Sequence, residues 1–148
     1  MRQIGTLLLV GTLLISCGKK SLYEPTTVPG NTLVLEFVTK MKYVVSLKID
    51  GNEIPIKYSG RNKTLVVEGL EPGTHHFNLS SISYVLGPEF ERFEVSASKG
   101  AYAFIQARKY RSALPKAKAQ VSIRAYRKSL KAEGISLETE KGIRATFH

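Results

Sequence analysis

Hydrophobic and polar residues alternate along most of the chain after residue 31. Strands that bury one face show this period of two, because successive side chains point to opposite sides. The alternation runs through about seven or eight short segments, with turn residues about every 8–12 positions. The hydrophobic members include Leu33, Leu35, Phe37, Val45, Leu47, Ile49, Ile54, Ile56, Tyr58, Leu65, Val67, Phe77, Leu79, Phe93, Val95, Tyr102 and Phe104. We therefore expect a mainly β fold, a single small β-sandwich over residues 32–110.

Turn sequences support this interpretation. Asp50-Gly51-Asn52 predicts a tight hairpin, because Gly and Asn tolerate positive φ. Glu71-Pro72-Gly73 predicts a second turn, with Pro preset at its second position and Gly free at its third. Pro55 cannot donate a hydrogen bond to a neighbouring strand, so the strand around it is expected at a sheet edge.

The same hairpins resemble those of a known domain type. Leu47-Lys48-Ile49-Asp50-Gly51, Val67-Glu68-Gly69-Leu70-Glu71-Pro72-Gly73-Thr74-His75 and Phe93-Glu94-Val95 precede a strand led by Gly100. This layout looks like PEGA-type domains and related lipoprotein domains, small sandwiches of an immunoglobulin-like or transthyretin-like kind. The resemblance spans residues 32–107, although no Pro-Glu-Gly-Ala-like turn precedes the Leu65 strand. It implies a fold and an envelope setting, and no catalytic residue.

Residues 111–148 form a basic C-terminal extension with mixed signals. Val121, Ile123 and Ala125 alternate, which predicts a last strand around residues 119–126. Gly134 is placed as a helix stop with Lys131 in the preceding turn, which predicts a short helical turn ending near Gly134. For residues 135–148 the weak alternation leaves either a loose hairpin or a disordered end.

The N-terminal segment has the pattern of a bacterial lipoprotein signal. Arg2 precedes an apolar run of about a dozen residues, shorter than the roughly 20 needed to span a bilayer. The run ends in Leu14-Ile15-Ser16-Cys17, which resembles the lipobox and contains the only cysteine of the chain. We expect removal of residues 1–16, lipidation of Cys17 and a polar tether over residues 17–31. Gly18 favours an outer-membrane location facing the periplasm.

Positive charge is concentrated near the C-terminus. Residues 17–94 contain nine basic and nine acidic residues, whereas residues 95–132 contain ten basic residues and no acidic one. Such asymmetry is typical of a surface that binds a polyanion, although a solvated face that keeps the domain soluble has the same composition. The candidate contacts are Arg108, Lys109, Arg111, Arg124, Arg127, Lys128 and Lys131. Because the protein is expected to be exported, the partners would be anionic lipid, lipopolysaccharide or cell wall, and not nucleic acid.

The sequence gives little support for catalysis. It lacks the common nucleophile, phosphate-binding, dinucleotide and metalloprotease motifs. His75 and His76 are adjacent, so on a strand they face opposite sides and cannot share one metal ion without distortion. We expect no enzyme activity, cofactor or metal. The chain is interpreted as a membrane-anchored structural or interaction module, with a polyanion-binding module and an accessory subunit of an envelope complex as alternatives.

Overall fold

Ten strands and one helix make up the regular structure of the residues that the computed structural model describes, which are 24–110 and 121–148. Cys17, the expected signal segment and Arg111 lie outside these ranges. The strands are β1 (Thr32–Phe37), β2 (Ser46–Ile49), β3 (Asn52–Ile54), β4 (Ile56–Tyr58), β5 (Thr64–Glu68), β6 (Gly73–Ser80), β7 (Tyr84–Gly87), β8 (Phe90–Val95), β9 (Ala101–Lys109) and β10 (Arg144–Phe147). The helix is α1 (Ile123–Glu133).

The strands form two sheets. A six-stranded sheet has the order β4-β10-β5-β1-β9-β7, and a four-stranded sheet has the order β3-β2-β6-β8. Most neighbours are antiparallel, but β1 with β9 and β10 with β4 are parallel. The fold is mainly β and forms a small sandwich, as the alternation predicts.

The main core cluster consists largely of the residues that alternate in the sequence. Strand β9 is the exception, because Ile105 is buried there and the predicted Phe104 is 45% exposed. Val28, Val34 and Val66 form a second, smaller buried cluster. Leu33, Leu35 and Phe37 of β1 are fully buried and belong to one cluster with Leu47 of β2 and Phe77 of β6. Burying side chains of this size contributes roughly 1.5–3 kcal/mol each. The sandwich therefore depends on this apolar layer for its stability.

The predicted hairpin at Asp50-Gly51 is confirmed. Ile49 pairs with Asn52 across a two-residue loop, and both loop residues have positive φ, 50° at Asp50 and 81° at Gly51. This backbone fits the right-handed twist of the flanking strands. The edge position predicted for Pro55 is also confirmed, because Pro55 separates β3 from β4, each of which ends one of the sheets.

The C-terminal region differs from the prediction in two ways. Residues 123–126 belong to a helix and not to a strand, because capping at both ends and an apolar face at helical spacing outweigh the alternation. Residues 144–147 form β10, which lies between β4 and β5, where a loose hairpin or a disordered end was expected. Since Ala145 and Phe147 are fully buried, this strand is part of the sandwich core.

Candidate anion-binding surface

Helix α1 carries four of the predicted basic residues, and its two ends are well defined. The Ser122 hydroxyl accepts a hydrogen bond from the backbone N–H of Ala125 at 3.2 Å, as an N-cap residue does. Gly134 has a left-handed φ of 64°. Its N–H donates to the Lys131 carbonyl at 3.4 Å, and the Ile135 N–H donates to the Leu130 carbonyl at 3.2 Å. These two bonds form a Schellman motif, which fixes the end of the helix.

The helix lies against β4, the outermost strand of the larger sheet. The Tyr126 ring packs edge-on against the Tyr58 ring, with centroids 5.7 Å apart. The Arg127 guanidinium donates to the Tyr58 carbonyl. Burial raises the pKa of both tyrosines, so their hydroxyls stay protonated. The Arg127 side chain thus occupies a carbonyl that a bare edge strand would expose.

Arg124, Arg127, Lys128 and Lys131 form what we call the basic stripe. A helix turns about 100° per residue, so these four positions fall within a sector of about 100°. All four residues are solvent-exposed. The sector flanks the face of α1 that contacts β4, since Arg127 belongs to both. The sequence spacing therefore produces one continuous cationic surface.

No carboxylate balances the basic stripe within the described parts of the chain. The ion pairs found there join Asp50 to the two neighbouring histidines and Arg144 to Glu68 and Glu138. Like charges three or four residues apart destabilise a helix by about 0.2–0.5 kcal/mol per pair. An anion bound along the stripe would relieve this repulsion.

The other predicted basic residues are divided between two places. The Lys109 ammonium lies 5.4 Å from the centroid of the Tyr43 ring, and residue 43 forms a β-bridge with Ser122 at the start of α1. Lys109 is thereby placed near the N-terminal end of the helix. Arg108 pairs across the sheet with Val85, and these two residues line a small cavity together with Lys109 and Tyr110. Arg111 lies outside the described residues.

A groove of about 630 Å³ runs between α1 and β4. Its apolar lining comes from Ile56, Tyr58, Leu130, Ile135 and Leu137, and its cations are Lys57, Arg127 and Lys131. This groove could not be predicted from the sequence, because its two walls are about 70 residues apart in the chain and meet only when α1 packs against β4. The one local signal is the pairing of Leu130 with Ile135 across the helix stop, a hydrophobic contact that commonly accompanies a Schellman motif.

A second polar cluster surrounds the Asp50 carboxylate, and it is structural. Asp50 Oδ2 accepts from His75 Nδ1 at 2.6 Å, and Oδ1 accepts from the His76 backbone N–H at 2.9 Å. The other ring nitrogen, His75 Nε2, lies 2.7 Å from the Glu71 carbonyl oxygen. Both ring nitrogens therefore face acceptors, which favours the doubly protonated imidazolium. With no free lone pair, the ring is not placed to act as a general base.

The pKa values of this cluster follow from the same contacts. Burial alone would raise the pKa of Asp50, but hydrogen bonds from His75 and from the His76 backbone outweigh it, so the pKa is lowered. Burial alone would lower the pKa of His75, but its bonds to Asp50 and to the Glu71 carbonyl outweigh it, so the pKa is raised. As predicted, the two histidines face opposite sides: the His75 ring neighbours Phe93, and the His76 ring stacks on Phe90.

Within residues 24–110 and 121–148, no group of three or more His, Cys, Asp or Glu side chains converges, and α1 is too short and too polar to cross a bilayer. Comparison of the chain with protein-family models, curated protein sequences and solved structures finds no significant match.

Proposed function

We propose that this chain is a lipid-anchored protein of the bacterial envelope that acts as a non-enzymatic binding module, with the basic stripe of α1 as its contact to anionic groups. The observation that carries the proposal is the stripe itself, four exposed cations on one side of a capped helix. The described part of the chain provides no carboxylate partner for them. The expected location of the protein is the outer membrane, facing the periplasm.

An acyl anchor at Cys17 and the basic stripe would both hold the domain at the same membrane surface. Two or three acyl chains on Cys17 would hold the domain at a bilayer, whereas one chain gives only marginal binding. A basic residue near an anionic membrane surface contributes about 1 kcal/mol. A stripe of four cations on an anchored domain is thus suited to hold one face against lipid phosphates or lipopolysaccharide.

Vesicle binding tests the role of the stripe. We would use the expected mature chain, residues 17–148 with Cys17→Ala, so that neither attached lipid nor the apolar signal segment contributes, and vesicles that contain phosphatidylglycerol. Replacing Arg124 and Lys128 by Gln together should weaken binding by about 30-fold at low salt, because two contacts of about 1 kcal/mol are lost. Both side chains are exposed and neither lines the groove, so the fold should be unaffected.

A matched control removes the same charge elsewhere. Lys48 and Lys99 are exposed and lie outside α1, so replacing both by Gln should change vesicle binding by much less than the stripe double variant does. Binding by the unmodified stripe should also weaken steeply as salt is raised, since salt screens exposed charges. Equal losses in the two double variants would show that net charge alone matters, and absence of binding at low salt would end the proposal.

The anchor has its own test. When the chain is expressed in a bacterium with its signal intact, Cys17→Ala should release the protein from membranes or leave the signal uncut. Unchanged mature size and unchanged membrane retention would contradict lipidation.

A second candidate function is that of an accessory subunit in an envelope complex. Among the described strands, β3 pairs with β2 alone and ends the smaller sheet, so a partner strand could add along its other side. At the corresponding edge of β4, the Tyr58 carbonyl already accepts a hydrogen bond from Arg127. Crosslinking in cells should then capture a partner through β3, and a Pro substitution at Glu53, an exposed β3 residue, should abolish the capture.

A further inference from the structure

The groove between α1 and β4 has two chemically distinct parts. Leu130, Ile135 and Leu137 supply apolar surface, whereas Lys57, Arg127 and Lys131 supply positive charge. Among the described residues, no acidic side chain contributes to its lining. A site with this composition matches a molecule that combines an apolar chain with an anionic head.

The walls of the groove are held in place by the same contacts that hold the helix. The Schellman motif fixes Leu130 and Ile135 relative to each other. The bond from Arg127 to the Tyr58 carbonyl ties the helix to β4. A volume of about 630 Å³ lies within the usual range of about 300–1,000 Å³ for small-molecule sites. The groove is therefore large enough for a hydrocarbon chain and largely preformed.

We propose that the groove binds one acyl chain of an anionic membrane lipid, with the lipid phosphate facing Lys57 and Lys131. This inference rests on the proposed function, because the groove borders the basic stripe and shares Arg127 and Lys131 with it. It adds the recognition of the hydrocarbon itself. Charge complementarity selects the occupant: an apolar peptide would leave the cations unpartnered, and a free phosphate would leave the apolar wall exposed to water.

The test uses alkyl phosphates of increasing chain length, kept below their critical micelle concentrations. They are titrated by calorimetry into residues 17–148 with Cys17→Ala, so that neither an attached acyl chain nor the apolar signal segment competes. Each added methylene should tighten binding about fourfold, which corresponds to about 0.8 kcal/mol, until the chain outgrows the groove. Inorganic phosphate should bind far more weakly than any long-chain member, and alkanols of equal length should bind more weakly than the phosphates.

Two substitutions test recognition of the ligand's alkyl chain and of its phosphate head separately. Ile135→Ser removes apolar surface and should reduce the gain per methylene to below about twofold. Its control is Val38→Ser, because Val38 has the same exposed fraction of 42% and lies outside the groove. Lys131→Gln should weaken the binding of every alkyl phosphate by a similar factor and leave the gain in affinity per methylene unchanged.

The outcomes distinguish this inference from the proposed function. If affinity does not depend on chain length, or if Ile135→Ser and Val38→Ser behave alike, the groove does not hold an acyl chain, even when the stripe still binds anionic vesicles. If alkanols bind as well as alkyl phosphates, the anionic head is not recognised and the proposal is wrong. A chain-length gain that Ile135→Ser alone reduces, together with a preference for phosphate, supports it.

Discussion

Replacing Phe147 by Ala tests whether the C-terminal strand is part of the core. Phe147 has 0% exposure and comes from β10, between β4 and β5. Its ring centroid lies 5.1 Å from that of Phe37 and 5.5 Å from that of Tyr58, nearly parallel to the latter. One side chain thus joins the central strand β1 to the edge strand β4.

The expected cost follows from these contacts. A Phe→Ala change in a core costs about 3–5 kcal/mol, from lost transfer energy and from the cavity left behind. Domains are stable by only about 5–15 kcal/mol, so Phe147→Ala should remove a large fraction of the stability. The thermal midpoint should fall by roughly 10–20 °C, and the urea midpoint by about 2 M.

Urea unfolding followed by circular dichroism measures this cost. The matched control is Phe104→Ala, the same chemical change at a side chain that is 45% exposed. The control should cost no more than about 1 kcal/mol, because a partly exposed ring leaves a smaller cavity. If both variants lose equally little stability, β10 does not fill the place between β4 and β5, and the C-terminal residues are a loose end after all.

Two further predictions concern buried polar groups and pH. Tyr58→Phe should lower the free energy of unfolding by about 1–3 kcal/mol, because the backbone N–H and carbonyl of Val45 both lose the buried hydroxyl that they contact at 2.9 and 3.0 Å. The control Tyr110→Phe, at an exposed site, should leave stability nearly unchanged. Equal losses of stability in the two variants, measured by urea titration, would contradict a structural role for the Tyr58 hydroxyl. Folding raises the pKa of His75 and lowers that of Asp50. The stability gained from His75 is therefore complete below about pH 6.5 and is lost as the pH rises through the pKa of the folded state. The stability gained from Asp50 is complete above about pH 3.8 and is lost as the pH falls through the pKa of the folded state. Urea midpoints should therefore be higher near pH 5.5 than near pH 8.5, and Asp50→Asn should reduce this difference. An unchanged difference in the variant would mean that the His75–Asp50 pair does not cause the pH dependence of stability.

The sandwich could be predicted from the sequence because its signal is local. Alternation in Leu33, Leu35 and Phe37 predicts the face of β1 that joins the main core, although the opposite face, with Val34, is buried as well. The Asp-Gly pair specifies the hairpin after Ile49. The pairing of β10 with β4 and β5 could not be predicted in the same way. Ala145 and Phe147 do alternate, but their partners are about 80 residues away, and short weak alternation carries no information about distant pairing.

The predicted helix end at Gly134 is confirmed, but the first turn of the helix, residues 123–126, was mistaken for a strand because two periods overlap in this segment. Val121, Ile123 and Ala125 alternate, but Ile123 and Leu130 also lie on one face at helical spacing. The decisive signals were the end residues, and only the Gly134 stop was used in the prediction, whereas the Ser122 cap was not. The groove depends on how this helix docks on β4, which no local pattern specifies.

We propose that Cys17 ties this β-sandwich to a membrane and so brings the basic stripe to an anionic surface. Intact-mass spectrometry of the protein from bacterial membranes tests this proposal. We expect a chain that begins at Cys17 and carries two or three acyl chains. A chain that still begins at Met1, or a Cys17 with an unmodified thiol, would contradict it.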